Sequence, residues 1–154
     1  MAVKRAYYGN DSDRDYFERV FQSANINFLI GSGASLPAIN VLGTIETDLQ
    51  QLINDEQEEE YFRVGTDFLT AVWLPHECML QRGHGAPFAP QVITNLECTR
   101  KNYDAFMSSL EKILIRRRTG LLPRRINVFT TNYDLFIEEA ATRNNNILFN
   151  DGFN

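Results

Sequence analysis

Along 12–24, SDRDYFERVFQSA, apolar side chains recur at helical spacing. Tyr16, Phe17, Val20, Phe21 and Ala24 fall on one face, and Ser12 or Asp13 is placed to cap the start. The rhythm then changes. INFLI, 26–30, is short and mostly apolar, the pattern of a buried parallel strand. GSGAS, 31–35, follows it directly. Pro37 suits the first turn of a helix or a loop, and Thr44 is placed to cap a helix through Ile53. A further helix is expected over 58–74, burying Tyr61, Phe62, Val64, Phe68, Leu69, Val72 and Trp73.

Residues 75–90, PHECMLQRGHGAPFAP, break the rhythm with three prolines and two glycines, and predict an irregular segment. A long helix over 91–118 follows, marked by Tyr103, Phe106, Met107, Leu110, Ile113 and Leu114. It closes on Arg116, Arg117 and Arg118, where cations favour the helix dipole, and Gly120 is placed to terminate it. INVFTT, 126–131, is a second strand. A helix over 133–144 and a third strand at 146–149, NILF, complete the pattern. The order predicts an α/β fold: a Rossmann-like parallel sheet with a helical insertion, 36–120, between its first two strands.

Composition narrows the class. The 154 residues suit one domain, and 44% apolar with 23% charged residues is globular rather than disordered. A net charge of -5 gives no basic footprint for nucleic acid. No apolar run approaches the ~20 residues that span a bilayer, and MAVKRAYYGNDSDRD lacks the apolar core of a signal peptide. A cytoplasmic location is the expectation. The acidic block NDEQEEE, 54–60, reads as solvated. Cys78 and Cys98 lack the paired spacing of a zinc site, so two reduced, partly buried thiols are expected and no metal.

Candidate chemistry gathers where strands end. Gly31 and Gly33 permit a tight turn and let a diphosphate approach the backbone. The dinucleotide fingerprint is incomplete, because Leu36 stands where its third glycine belongs, and no acidic residue clearly ends a second strand to hold an adenosine ribose. The stretch VFTTNYDLFIEEAA, 128–141, places Thr130, Thr131, Asn132, Tyr133 and Asp134 at the next strand-to-helix junction, where α/β proteins bind ligands.

Together, GSGAS (31–35) and TTNYD (130–134) resemble the two signature motifs of the sirtuin-like NAD-consuming family. NYD rather than NID, and ASLPA after the glycine loop, are more similar to the bacterial antiphage-defence NADase branch than to the protein deacylases. INVLGTIETD, 39–48, departs from the deacylases, which carry an aspartate and an arginine near a Gly-Ile-Pro turn. The resemblance implies hydrolysis of NAD to nicotinamide and ADP-ribose. It also implies a homo-oligomer, working with a sensor or a partner such as a HerA-type ATPase. It assigns the cofactor phosphates to Gly31, Ser32, Gly33, Ala34 and Ser35. Asn132 would contact the nicotinamide ribose and position the attacking water. Asp134 would lie near the nicotinamide pocket or hold the loop, and Thr130 and Thr131 would shape the turn.

In that family a catalytic histidine follows the asparagine motif, whereas His76 and His84 both precede it and read as loop histidines. Tyr133 reads as a packing residue. NILFNDGFN stops after the expected third strand, so 1–154 is expected to be the first part of a larger, cut-short NAD-binding domain, inactive alone. The alternatives are a non-catalytic module that holds NAD or ADP-ribose, an NAD-dependent protein deacylase, and an assembly domain in which both motifs are ordinary turns.

Overall fold

A computed structural model describes residues 4–41, 43–80, 88–118 and 123–152. Helix α1 is Asp11–Ser23. Its cap is Asn10 rather than Ser12 or Asp13, and the Asn10 side chain accepts from the Asp13 N–H. Asp13 instead turns back to accept from the Tyr8 and Gly9 N–H groups at 2.7 and 2.9 Å. Its carboxylate also pairs with Arg5. The apolar face of α1 is covered less than its spacing suggests, for Tyr16, Phe17 and Phe21 remain exposed.

Strand β1, Ile26–Ile30, lies parallel to β2, Ile126–Thr130, with Ile26 opposite Ile126 and Ile30 opposite Thr130. Among the described residues the sheet has these two strands. Parallel neighbours need a long crossover, and here it runs through three helices: α2 (Ile45–Asn54), α3 (Glu58–Leu80) and α4 (Pro90–Arg116). Helix α5, Phe136–Arg143, follows β2. The chain is therefore mixed α/β, with five α-helices and a parallel pair among the described residues. Among the described residues, no helix is long and apolar enough to cross a membrane.

The core lies between one sheet face, α4, α5 and the end of α3. Phe28, Ile30, Ile126 and Val128 point into it, against Met79, Leu96, Met107, Leu110, Phe136 and Ile137. Tyr103 of α4 stacks on Phe136 of α5 with ring centroids 5.2 Å apart. Ion pairs reinforce this joint: Arg100 holds Glu139, and Arg143 holds both Asp104 and Glu139. The strands are buried on this face only. Leu29 is 77% exposed and Phe129 58%, while Asn27 and Asn127 hydrogen-bond side by side on that bare surface. The mostly apolar run of β1 thus conceals an alternating strand.

Several expected boundaries shift for local reasons. Helix α3 does not stop at 74 but continues through Pro75 to Leu80. Proline withholds its own N–H from the Ala71 carbonyl one turn back; one residue on, the His76 imidazole bonds the Val72 carbonyl at 2.9 Å. His76 is thus a helix residue. The expected irregular segment is therefore helical over 75–80, while its part 81–87, with His84, lies outside the described residues, as does Gly120. Helix α5 starts at Phe136 rather than 133 because Asp134 Oδ1 accepts the Phe136 N–H and holds the preceding residues in a turn.

The expected third strand at 146–149 is absent from the described sheet. Asn144 takes the Asn146 N–H, and both asparagine amides donate to Glu111 of α4. This ties the segment to a helix, and Leu148 stands almost fully exposed.

Within the arginine triplet, Arg117 is buried; its guanidinium donates to the carbonyls of Ala24 and Arg125. The Arg118 N–H donates to Gln22. These bonds fasten the end of α1, the end of α4 and the approach to β2. Both thiols are free, with Cys78 half-buried and Cys98 exposed.

Candidate functional site

Because β1 and β2 are adjacent and in parallel register, the segments after them leave the sheet side by side. The Thr131 N–H still donates to the Ile30 carbonyl at 3.2 Å, extending the ladder one step past β2. Gly31 then caps a short 3₁₀ turn, Ser32–Ser35. Neither Gly31 nor Gly33 has positive φ, and a side chain added at either would meet nothing within 4 Å. Their value is open space at the backbone rather than left-handed geometry. Ser32 and Ala34 are exposed beside them.

Ser35 is the exception in this loop. It is 2% exposed, and its hydroxyl joins the two motifs. Ser35 Oγ donates to Asp134 Oδ2. A carboxylate only accepts, so the serine proton is committed there and Oγ is left to accept from others. The Asn132 amide nitrogen donates to it at 2.9 Å, and the Tyr103 hydroxyl lies 3.4 Å away. This directionality fixes the Asn132 amide, whose carbonyl oxygen is buried with no hydrogen-bond partner. A buried unpaired acceptor is uncommon in folded proteins and calls for a donor.

Neighbouring groups hold this arrangement in place. Thr130 Oγ1 accepts the Asn132 N–H at 2.9 Å, shaping the turn, while Thr131 is exposed. Thr99 of α4, fully buried, accepts the Ala38 N–H through its hydroxyl and reaches the Ser35 carbonyl. Tyr103 sits one helical turn further on. Burial pushes its phenol above the ordinary value, while the Ser35 hydrogen bond pulls the other way. Thr99 and Tyr103 passed as helix interior in the sequence. The signal was two hydroxyls spaced i, i+4 on the apolar face of α4.

The structure thus brings Ser35, Asn132 and Asp134 into one hydrogen-bonded set. It leaves Gly31, Ser32, Gly33, Ala34 and Thr131 exposed around them, and Thr130 exposed but bonded to the turn. Tyr133 is 51% exposed, not packed. Its ring lies 6.4 Å from that of His76, beside Trp73 and Leu69, at a cleft on α3. Among the described residues, no group of three or more His, Cys, Asp and Glu side chains is placed to hold a metal. Comparison of the chain with protein-family models, curated proteins and solved structures gave no match.

Proposed function

We propose that this chain is the NAD-binding part of a sirtuin-like NADase, built on a Rossmann-like sheet, that hydrolyses NAD to nicotinamide and ADP-ribose. The observation that carries this reading is the hydrogen bond from Asn132 to Ser35. It couples the glycine loop to the asparagine motif at the ends of adjacent strands, the place where open α/β sheets take ligands.

Each group then has a task its chemistry suits. The open backbone at Gly31 and Gly33 admits the diphosphate. Ser35, already bonded three ways, anchors the loop rather than the phosphates. The unpaired Asn132 carbonyl oxygen accepts from a ribose hydroxyl or from water. Breaking the bond between ribose and nicotinamide builds positive charge on the sugar, and an oriented water completes the substitution. Asn132 orients but takes no proton, so a general base, typically worth ~10²–10⁴-fold, is a separate requirement.

The same reading carries an antiphage effector that depletes NAD, assembled with further copies or with a HerA-type ATPase. A module that holds NAD or ADP-ribose without turnover is the second reading. It is favoured by the position of His76 and His84, which both precede Asn132. Nicotinamide release by the full-length protein, followed by chromatography, tests the choice, since residues 1–154 alone are expected to be inactive. Turnover that disappears in Asn132→Ala, with fold and size unchanged, is the expected result for the NADase. Binding without release selects the module, and full release by Asn132→Ala rules out the asparagine mechanism.

A further inference from the structure

The chain has a net charge of -5, yet one groove on it is basic. Helix α1 contributes Arg14 to it, the last turns of α4 contribute Lys112 and Arg116, and Arg118 follows just past that helix. All four side chains are exposed, and none forms an ion pair among the described residues. Arg117 differs from them, being buried with its guanidinium committed to two carbonyls. Glu18 is the single acid in the groove. The aromatic side chains between these cations are open as well: Phe17 and Phe21 stack with ring centroids 6.3 Å apart and stay exposed. Like charges gathered around bare rings repel one another, and nothing described within the chain offsets that repulsion.

A surface of opposite sign lies at the start of α3. Glu58, Glu59 and Phe62 share one face of that helix, because side chains three and four residues apart are neighbours. Phe62 is 61% exposed. Glu58 and Glu59 are exposed too and form no ion pair among the described residues, whereas Glu60 is held by Arg63. Both surfaces therefore present an aromatic centre flanked by uncompensated charge, and both stand open on the same copy.

We propose that the groove between α1 and the end of α4 receives the first turns of α3 from a second copy of this chain. Phe62 lies against Phe17 and Phe21, with Glu58 and Glu59 among the groove's cations. Exposed ion pairs are worth little one at a time, so the rings supply the adhesion and the charges set its direction. Nucleic acid is a poorer occupant, because the chain as a whole repels phosphates and Glu18 stands within the groove. Two different patches meet in this contact, so every copy keeps one of each, and assembly runs on into a ring or an open row. The proposal names assembly surfaces, on which the NAD reading is silent, and does not depend on NAD.

Sedimentation equilibrium of the whole chain, in about 0.1 M salt and over a series reaching about 0.5 mM, is the test. The parent should gain mass with concentration and pass beyond a dimer. A groove variant, Arg14→Glu with Lys112→Glu, and a face variant, Glu58→Gln with Phe62→Ser, should each associate at least about tenfold more weakly. Mixed in equal amounts, they should form a one-to-one dimer and nothing larger, because one carries the intact face and the other the intact groove. Circular dichroism checks the fold, and Arg14→Glu alone replaces the groove variant if the double change unfolds it. A parent that stays monomeric throughout overturns the proposal. So does a folded variant that associates as strongly as the parent, which would move assembly to another surface, or a mixture that fails to pair. None of these outcomes touches the NAD reading, which stands or falls by nicotinamide release.

Discussion

The two faces of the β1–β2 pair are made from alternate residues of the same strands and have opposite fates. Phe28, Ile30, Ile126 and Val128 meet α4 and α5 and join the core. Leu29 and Phe129, one position away and equally apolar, face outward uncovered. The packed side combines apolar burial with two ion pairs between α4 and α5 and a third within α5. Helix α1 resembles the bare side: its aromatic residues stay exposed, and Gln22 with Arg117 hold its end by polar bonds. Stability therefore resides on one side, and the candidate site stands on that side's upper rim, braced by Thr99, Tyr103 and Phe136.

The largest effect should come from Phe136→Ala. Its ring is completely buried against Tyr103, and such truncations cost about 3–5 kcal/mol. Urea unfolding should show a large fall in midpoint, and a small one would mean that the α4–α5 joint is looser than its packing indicates. Arg117→Ala should come next, at about 1.5–3 kcal/mol, because the Ala24 and Arg125 carbonyls both lose a charged donor. Arg117→Lys should rescue little, since one ammonium lacks the planar fork that reaches two carbonyls.

A weaker, pH-dependent loss is expected at Asp13. Backbone donation from Tyr8, helped by Arg5, Asn10 and Gly9, holds its carboxyl below the ordinary value. The folded state therefore favours the charged form. Its contribution is complete above the unfolded value of about 3.9 and is lost as pH falls through the lower folded value. Amide shifts of Tyr8 and Gly9 should move in that acid window and stay flat in Asp13→Asn; identical profiles would place the titration elsewhere. The smallest effect belongs to Leu29→Ser on the bare face, within about 0.5 kcal/mol for the isolated chain. A sedimentation change in that variant, without a stability change, would mark the face as an assembly surface.

Much of this was readable from spacing. Both strands, α2 and most of α4 lie close to their expected limits because apolar rhythm and capping residues agree there. The rest turned on particular side-chain bonds: Glu111 draws 144–146 onto α4, and Asp134 delays α5. Helix α3 simply continues past Pro75 to Leu80. At the candidate site, the proximity of Ser35 and Asn132 followed from two strand ends. The reversal of Ser35 from rim to interior did not, because its partners are 68 to 99 residues away.

The central claim is that the glycine loop and the asparagine motif form one NAD site. Calorimetric titration of NAD into the chain and into Gly33→Val tests it most directly. Gly33 faces open space and does not use positive φ, so valine should leave the unfolding midpoint near that of the parent while obstructing approach to the backbone. The account predicts saturable binding by the parent and a loss of about tenfold or more in the folded variant. Equal affinity in the two proteins, or no binding by the parent, would contradict it.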